Sequence, residues 1–258
     1  MEEDSRIDSP KGENELEIAP SSTESPPVMV SARHRSLLQK CDLGALLLGI
    51  VGMILNVMGL SLFLALLPNN SLYLVPGILC SAICSLAIVA GYAIGHKKTG
   101  IQWSELIPTA HCGAAQRILT IVLVAILLVI VVLLINLAVT CLFHIDPKTS
   151  NPFVTLLDNP DVPSLVLIFI DLVIFTPIYE EILFRLALPR LLGSSFIANL
   201  FVSLIFAIFH GVAWGIPGLT VFALTLCYFR YKQDIFTCIG VHALFNLLGA
   251  LGIFMNCS

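Results

Sequence analysis

TPIYEEILFR, residues 176–185, places two adjacent carboxylates and one guanidinium inside an otherwise apolar run of membrane-spanning length. A charged group at membrane depth costs roughly 2.5–3.5 kcal/mol on insertion scales, so such groups usually face a protein interior or a wet cavity. Three charged groups in this short stretch therefore predict a functional site.

Helix spacing gives the two acids different surroundings. Glu181 and Arg185 are four residues apart with the acid first, which is the favourable order for an ion pair on one helix face. Glu180 points about 100° away from Glu181, so we predict that it has no cation partner on this helix. Such a carboxylate is suited to take a proton from water. Pro177 removes a backbone hydrogen bond and is predicted to bend the helix toward a hydrated pocket.

The composition is that of a polytopic membrane protein. The chain has 258 residues, of which 57% are hydrophobic and 12% charged, and its mean hydropathy is +0.95. Apolar runs of about twenty residues are typical of membrane-spanning helices. The sequence contains no basic tract of the kind that binds nucleic acid. The eight cysteines form no CxxC pair, so we predict small buried apolar residues rather than metal ligands or disulfides.

We predict an all-α fold, a polytopic membrane helical bundle with about seven transmembrane helices. Residues 1–36 are predicted to be a disordered acidic cytosolic tail. Residues 37–150 are predicted to hold three transmembrane helices and an interfacial segment, and residues 151–258 a catalytic core of about four helices. The predicted spans are residues 43–67, 72–95, 116–143, 163–190, 194–214, 217–230 and 235–256.

The distribution of Lys and Arg predicts the orientation of the bundle. Basic residues flank alternate ends of the predicted spans, and cytoplasmic loops carry the excess of such residues. With the N-terminus in the cytoplasm and the C-terminus outside, only Lys148 falls on the outer side. The residues assigned to the cytoplasmic side are Arg33, Arg35, Lys40, Lys97, Lys98, Arg117, Arg190, Arg230 and Lys232.

Two further polar clusters lie on later apolar runs. FAIFH ends at His210, and HALFN places His242 and Asn246 on one helix face because they are four residues apart. Alone, each fits a packing residue or an interhelical hydrogen bond. A rise of 1.5 Å per residue puts Glu180 and His242 each about 15 Å from the cytoplasmic ends of their helices. We therefore predict that Glu180, His210, His242 and Asn246 meet in the inner to middle bilayer.

The three clusters together resemble one known family. EEILFR, FAIFH and HALFN occur in the order of the EExxxR, FxxxH and HxxxN motifs of the CPBP family. This family comprises intramembrane proteases that include the type II CAAX prenyl endopeptidases and the bacterial Abi proteins. The resemblance covers residues from about 165 to 252, and the first three spans and the tail carry no such motif.

The resemblance implies an intramembrane endopeptidase with four catalytic residues. Glu180 would activate the attacking water, and His210 would hold that water or the tetrahedral intermediate. His242 and Asn246 would stabilise the oxyanion. The expected partners are a peptide or membrane-protein substrate and the lipid bilayer, with no nucleic acid.

The resemblance also implies a supporting pair and leaves a metal question open. Glu181 and Arg185 would fix the geometry of the site. No cofactor is predicted, although the family has also been described as metalloproteases. The alternative is a zinc site formed by Glu180, His210 and His242.

Two other functions use the same ionisable cluster. Buried Glu, Asp and His residues also build the proton relays of transporters, but these groups lie in one half of the chain and no internal repeat is visible. A non-catalytic membrane scaffold is the second alternative. Asp171, nine residues before Glu180 and half a turn away, is predicted to be hydrogen-bonded within the bundle rather than catalytic.

Overall fold

The computed structural model describes residues 32–66, 74–107, 112–145, 162–210, 213–232 and 234–257, and all regular elements in these ranges are helical. The all-α prediction is confirmed. Most of the predicted tail lies outside the described residues. The first helix begins at Ala32, so residues 32–36, which the sequence assigned to the tail, are helical.

The described helices follow the order of the predicted spans. Three of them are long and apolar enough to cross a membrane, over Ile78–Thr99, Ala114–Phe143 and Ile235–Gly252, and two shorter helices are apolar. The protein is therefore an integral membrane protein, while seven spans and their orientation stay predictions. The helices are α1 (Ala32–Leu66), α2 (Leu74–Thr99), α3 (Trp103–Leu106), α4 (Ala114–Phe143), α5 (162–191), α6 (Phe196–Phe209), α7 (Ile216–Lys232) and α8 (Ile235–Cys257).

Helix α6 is shorter than the fifth predicted span. The span was predicted over residues 194–214, but α6 ends at Phe209 and a short 3₁₀ turn over Ala213–Gly215 precedes α7. The apolar composition continues past the helix end, so hydropathy did not reveal the break. The 14 residues of α6 rise about 21 Å, less than a hydrocarbon core of about 30 Å.

Helix α5 is irregular at two places. Its segments Asp171–Phe175 and Ile182–Ala187 are π-helical, and the N–H of Thr176 bonds the carbonyl of Asp171, five residues earlier. Pro177 and Pro189 are each the second residue after a π-helical segment. Because proline lacks an N–H, it breaks the regular ladder near these turns. The distortion predicted at Pro177 thus takes the form of a widened π turn.

Helix α5 is the centre of the bundle. Every residue of its segment Ile182–Ala187 is buried. Helices α1 and α2 pack against α5, as do α6, α7 and α8, while α4 packs on α7 and α8. The described residues from Ala32 onward form one compact unit. Side chains on α5 are therefore shielded by helices from both the N-terminal and the C-terminal parts of the chain.

A buried polar cluster joins four helices at one end of the bundle. Asp42, which is fully buried, accepts a hydrogen bond from the Tyr92 hydroxyl at 2.6 Å and pairs with Arg190 at 3.4 Å. Arg190 also donates to the carbonyls of Leu106 at 2.9 Å and Glu105 at 2.7 Å. Sequence reasoning missed this cluster. The feature of the sequence that could have revealed it is Asp42, the acid near the start of the first apolar run, whose charge is opposite to that of Arg190 at the end of α5.

Asp234 connects the start of α8 to the start of α4. Its Oδ1 accepts a hydrogen bond from the N–H of Thr237 at 2.6 Å, and its Oδ2 lies 2.6 Å from Arg117 Nη2. A carboxylate at the N-cap satisfies an otherwise unpaired N–H and also favours the helix dipole.

We expect Asp234→Ala to lower the free energy of unfolding by about 1 kcal/mol more than Asp234→Asn does. Asparagine caps a helix about as well as aspartate, so Asp234→Asn removes mainly the charge that pairs with Arg117. Thermal unfolding in detergent micelles measures both losses. Equal losses would show that the cap contributes nothing.

Candidate active site

Three ionisable side chains from three helices converge in the bundle. Nε2 of His210 lies 3.9 Å from Oε2 of Glu180, and Nε2 of His242 lies 3.8 Å from the same oxygen. Glu180 and His242 are buried, and His210, at the end of α6, is partly open. The structure thus brings together three of the four predicted catalytic side chains around one carboxylate oxygen.

Each imidazole is oriented by a bond from its other nitrogen. His210 Nδ1 lies 2.7 Å from the carbonyl oxygen of Phe206, and the two rings pack 4.4 Å apart. A carbonyl only accepts, so His210 Nδ1 must carry the proton. His242 Nδ1 lies 2.7 Å from Oε1 of Glu181. That carboxylate is ion-paired and also accepts, so each ring in its neutral form presents an unprotonated Nε2 to Glu180.

The pair predicted from the spacing of Glu181 and Arg185 is present. Arg185 Nε lies 3.3 Å from Glu181 Oε2, and both side chains are fully buried. The ring of Phe206 lies 4.4 Å from the guanidinium carbon and supplies a cation–π contact. Glu181 therefore uses one oxygen for Arg185 and the other for His242. The pair fixes the ring orientation of His242.

Asn246 lies one turn beyond His242 on α8 but makes a different contact from the predicted one. Its Nδ2 donates to the carbonyl of Leu172 at 2.9 Å, within the first π-helical segment of α5. In a regular helix the N–H of a residue four positions on would use that carbonyl. Asn246 thereby ties α8 to the widened turn, and the second N–H of its amide is left for another acceptor.

Sequence reasoning missed one side chain that touches Glu180. The hydroxyl of Tyr179 donates to Oε1 of Glu180 at 3.3 Å. Consecutive residues do not normally face each other on a helix, so the order of the letters YE gave no signal for this contact. The contact comes from the long tyrosine side chain, whose hydroxyl reaches the carboxylate of the next residue.

Asp171 is hydrogen-bonded within the bundle, as predicted. Its carboxylate is in hydrogen-bonding contact with the side chains of Ser81 on α2 and Thr176 on α5. Among the described residues, no ion pair or hydrogen bond joins Asp171 to His210 or His242, which both face Glu180. Asp171 is thus part of the surroundings of Glu180 rather than a member of the converging group.

The described residues include no group of three or more His, Cys, Asp or Glu side chains placed to hold a metal ion. In the candidate set of Glu180, His210 and His242, the donor atoms are 3.8 and 3.9 Å apart, wider than the roughly 3.3 Å between ligand atoms of a tetrahedral zinc site. As they stand, these side chains do not fit a zinc centre. Cysteine ligands add nothing, since the seven cysteines described are free thiols scattered over the fold.

The comparison with known families falls on this part of the chain. Residues 162–248 match the family model described as type II CAAX prenyl endopeptidase Rce1-like. The chain carries an Rce1-like domain. It runs from the start of α5 into α8 and contains all six candidate site residues. No curated protein and no solved structure matches the chain.

The Rce1-like domain supports a membrane-embedded protease, and the resemblance to the CPBP family is confirmed. The likeness to bacterial Abi proteins stays a prediction. Helices α1 to α4 lie outside the matched residues. Nevertheless α1 and α2 pack directly against α5 of the Rce1-like domain. The candidate site is therefore enclosed partly by helices whose sequence carries no motif.

Proposed function

We propose that the protein is an intramembrane endopeptidase in which Glu180 activates a water molecule for attack on a peptide bond. The observation that carries this proposal is the convergence of two imidazole Nε2 atoms on Glu180 Oε2, at 3.8 and 3.9 Å, inside a helical bundle. These separations are too long for direct hydrogen bonds, and a water that bridges these atoms would complete the bonding of the buried Oε2, which has no partner among the described residues. The Rce1-like domain supports the same reaction class.

In the first step Glu180 Oε2 takes a proton from the bridging water as its oxygen attacks the carbonyl carbon of the substrate. His210 accepts a hydrogen bond from that water through its unprotonated Nε2 and so orients it. A bond forms between the water oxygen and the carbonyl carbon, and the carbonyl oxygen becomes an oxyanion. Such acid–base help contributes typically 10²–10⁴ in rate.

In the second step the carbon–nitrogen bond breaks, and the proton held by Glu180 passes to the leaving nitrogen. The oxyanion needs donors before this happens. His242 serves as a donor in the form whose Nε2 carries a proton taken from solvent before the reaction begins, and Glu181 at 2.7 Å balances the positive charge of that form. The remaining N–H of Asn246 is the second proposed donor. Breakage of the bond restores the carbonyl and returns Glu180 to its carboxylate form.

An apolar groove beside α5 supports a lipidated substrate, in line with the CAAX prenyl description of the matched family. Its volume is about 260 Å³, and its lining includes Leu183 and Phe184, which follow Glu181 by one turn or less on α5. A hydrocarbon chain fits such a surface because it requires no polar partner. The full lining is Leu46, Ile50, Ile54, Leu183, Phe184, Leu188, Ile205 and Phe209.

Purified protein in proteoliposomes tests the proposal against its two alternatives. Three readouts are taken from the same preparation: cleavage of a farnesylated CaaX peptide and of its unmodified counterpart, solute flux driven by a pH gradient, and stable complex formation. Hydrolysis that is lost in Glu180→Gln supports the endopeptidase. Flux without hydrolysis would identify a transporter, and a stable complex without either activity would identify a scaffold.

We expect chelation of metal ions to leave the rate of hydrolysis unchanged, because the donor separations at Glu180 are wider than zinc ligation requires. The measurement is turnover before and after dialysis against a chelator, with elemental analysis of the purified protein. Stoichiometric zinc whose removal reversibly abolishes cleavage would contradict the metal-free mechanism. It would favour the site formed by Glu180, His210 and His242.

A further inference from the structure

Tyr179 is a buried tyrosine whose hydroxyl contacts the proposed catalytic base. It is 8% exposed, and its ring packs in the apolar cluster that joins α1, α2 and α5. Its hydroxyl hydrogen is directed to Oε1 of Glu180, at 3.3 Å. This hydrogen bond restricts rotation of the Glu180 carboxylate, so Oε1 turns toward the histidines less readily than Oε2 does.

The two oxygens of Glu180 are therefore not equivalent. Oε1 is held by Tyr179, whereas Oε2 is buried, has no hydrogen-bond partner among the described residues, and is the oxygen that faces both histidines. A buried carboxylate oxygen without a partner is costly unless a ligand or water completes its bonding. The hydroxyl of Tyr179 thus selects which oxygen is left to take the proton.

A threonine lies close to the hydroxyl of Tyr179. Thr176, three residues earlier on α5, lies within hydrogen-bonding reach of both Tyr179 and Asp171, and its single hydroxyl hydrogen serves one of them at a time. Asp171 is also within reach of Ser81 on α2. Residues five apart come together on a π turn, as its N–H to carbonyl bonds show. The segment Asp171–Phe175 is such a turn, so it brings Asp171 near Thr176.

The charged and titratable groups near Glu180 come from three helices. They are Tyr179, Asp171, Glu181 and Arg185 on α5, His210 at the end of α6, and His242 on α8. Of these, only Tyr179 contacts Oε1. The serines of α2, Ser81 and Ser85, are neutral, and Ser85 donates to the backbone carbonyl of Phe175 rather than to an acid.

We propose that Tyr179 is a positioning residue for the hydrolysis, holding Oε1 of Glu180 so that Oε2 alone meets the water between His210 and His242. This inference rests on the proposed function, since it assigns a role around the same carboxylate. It assigns Thr176 the role of supporting the tyrosine hydroxyl.

The test compares two tyrosines that both donate to a buried carboxylate. Tyr179→Phe removes the bond to Glu180, and Tyr92→Phe removes the 2.6 Å bond to Asp42 at the end of the bundle. Loss of a hydrogen bond to a charged group predicts a fall in kcat of roughly ten- to a hundredfold in Tyr179→Phe. KM is expected to stay unchanged, and Tyr92→Phe is expected to lower thermal stability without lowering kcat.

Infrared spectroscopy supplies a measurement that would not change if Tyr179 only stabilised the fold. The carboxylate stretching band lost in Glu180→Gln identifies Glu180, and we expect this band to shift in Tyr179→Phe but not in Tyr92→Phe. A wild-type kcat and an unshifted band in folded Tyr179→Phe, with Glu180→Gln inactive, would overturn this inference alone. Wild-type turnover in Glu180→Gln would overturn the proposed function itself.

Thr176→Val keeps the inference testable if Tyr179→Phe does not fold. Valine has nearly the shape of threonine and removes only the hydroxyl, which lies within reach of Tyr179 and of Asp171. We expect a smaller fall in kcat, of roughly two- to tenfold, with KM unchanged. A wild-type kcat in Thr176→Val, where Tyr179→Phe cannot be obtained folded, would overturn the assignment.

Discussion

Peptide hydrolysis by Glu180→Gln is expected to fall by roughly 10²–10⁴ in kcat, to the limit of detection in most assays. Glutamine keeps the size of the side chain but cannot take a proton from water. Its amide would present either an N–H donor or a carbonyl oxygen at the position where Oε2 now faces His210 and His242. Because Glu180 makes no ion pair with a Lys or Arg among the described residues, the folded structure should survive the change.

The measurement is turnover of the peptide substrate in proteoliposomes, with thermal unfolding to show that the variant is folded. Glu105→Gln is a matched control, since Glu105 is an exposed glutamate in the short helix α3. We expect Glu105→Gln to retain wild-type kcat. If Glu180→Gln kept wild-type cleavage while a folded Glu181→Gln lost it, the roles assigned to the two acids would be reversed.

Glu181→Gln is expected to lower the free energy of unfolding by about 3–5 kcal/mol, because it leaves the guanidinium of Arg185 buried without its partner charge. Arg185 is fully buried and lies 3.3 Å from Glu181. Removing one member of a buried pair costs far more than the pair itself contributes. Thermal unfolding in micelles, and the yield of folded protein, should both fall.

The double variant Glu181→Leu with Arg185→Met separates folding from catalysis. Replacing both charges by apolar groups of similar size is often neutral for stability, so folded protein should be recovered. Activity should stay low, because the carboxylate that holds Nδ1 of His242 at 2.7 Å is gone. Recovery of full activity together with stability would show that Glu181 acts only on the fold.

The helical class and the supporting pair could be predicted from local sequence. Apolar runs fix the helices because a backbone at membrane depth must satisfy its own hydrogen bonds. Glu181 and Arg185 pair because residues four apart share a helix face, and the structure places them 3.3 Å apart. The ordered motifs at Glu180, His210 and His242 also named three side chains that the fold brings together.

The contacts of Tyr179 and Asn246 could not be predicted in the same way. Apart from the bend predicted at Pro177, the spacing argument treats α5 as a regular helix, whereas its two π turns change which residues share a face. Asn246 donates to a carbonyl of that turn at 2.9 Å, and Tyr179 reaches the next residue in the chain. The Asn246 contact depends on backbone geometry that periodicity does not record, and the Tyr179 contact depends on the length and direction of one side chain.

The sequence by itself determined the helices, their apolar character and the ionisable residues, because hydrophobic periodicity and i,i+4 spacing act within a single segment. Only the tertiary structure decided that Glu180 Oε2 faces two histidines while Oε1 is held by Tyr179. Those contacts join helices far apart in the chain, or depend on the direction of a single side chain. Local propensities do not specify them, since packing of whole helices sets the register between them.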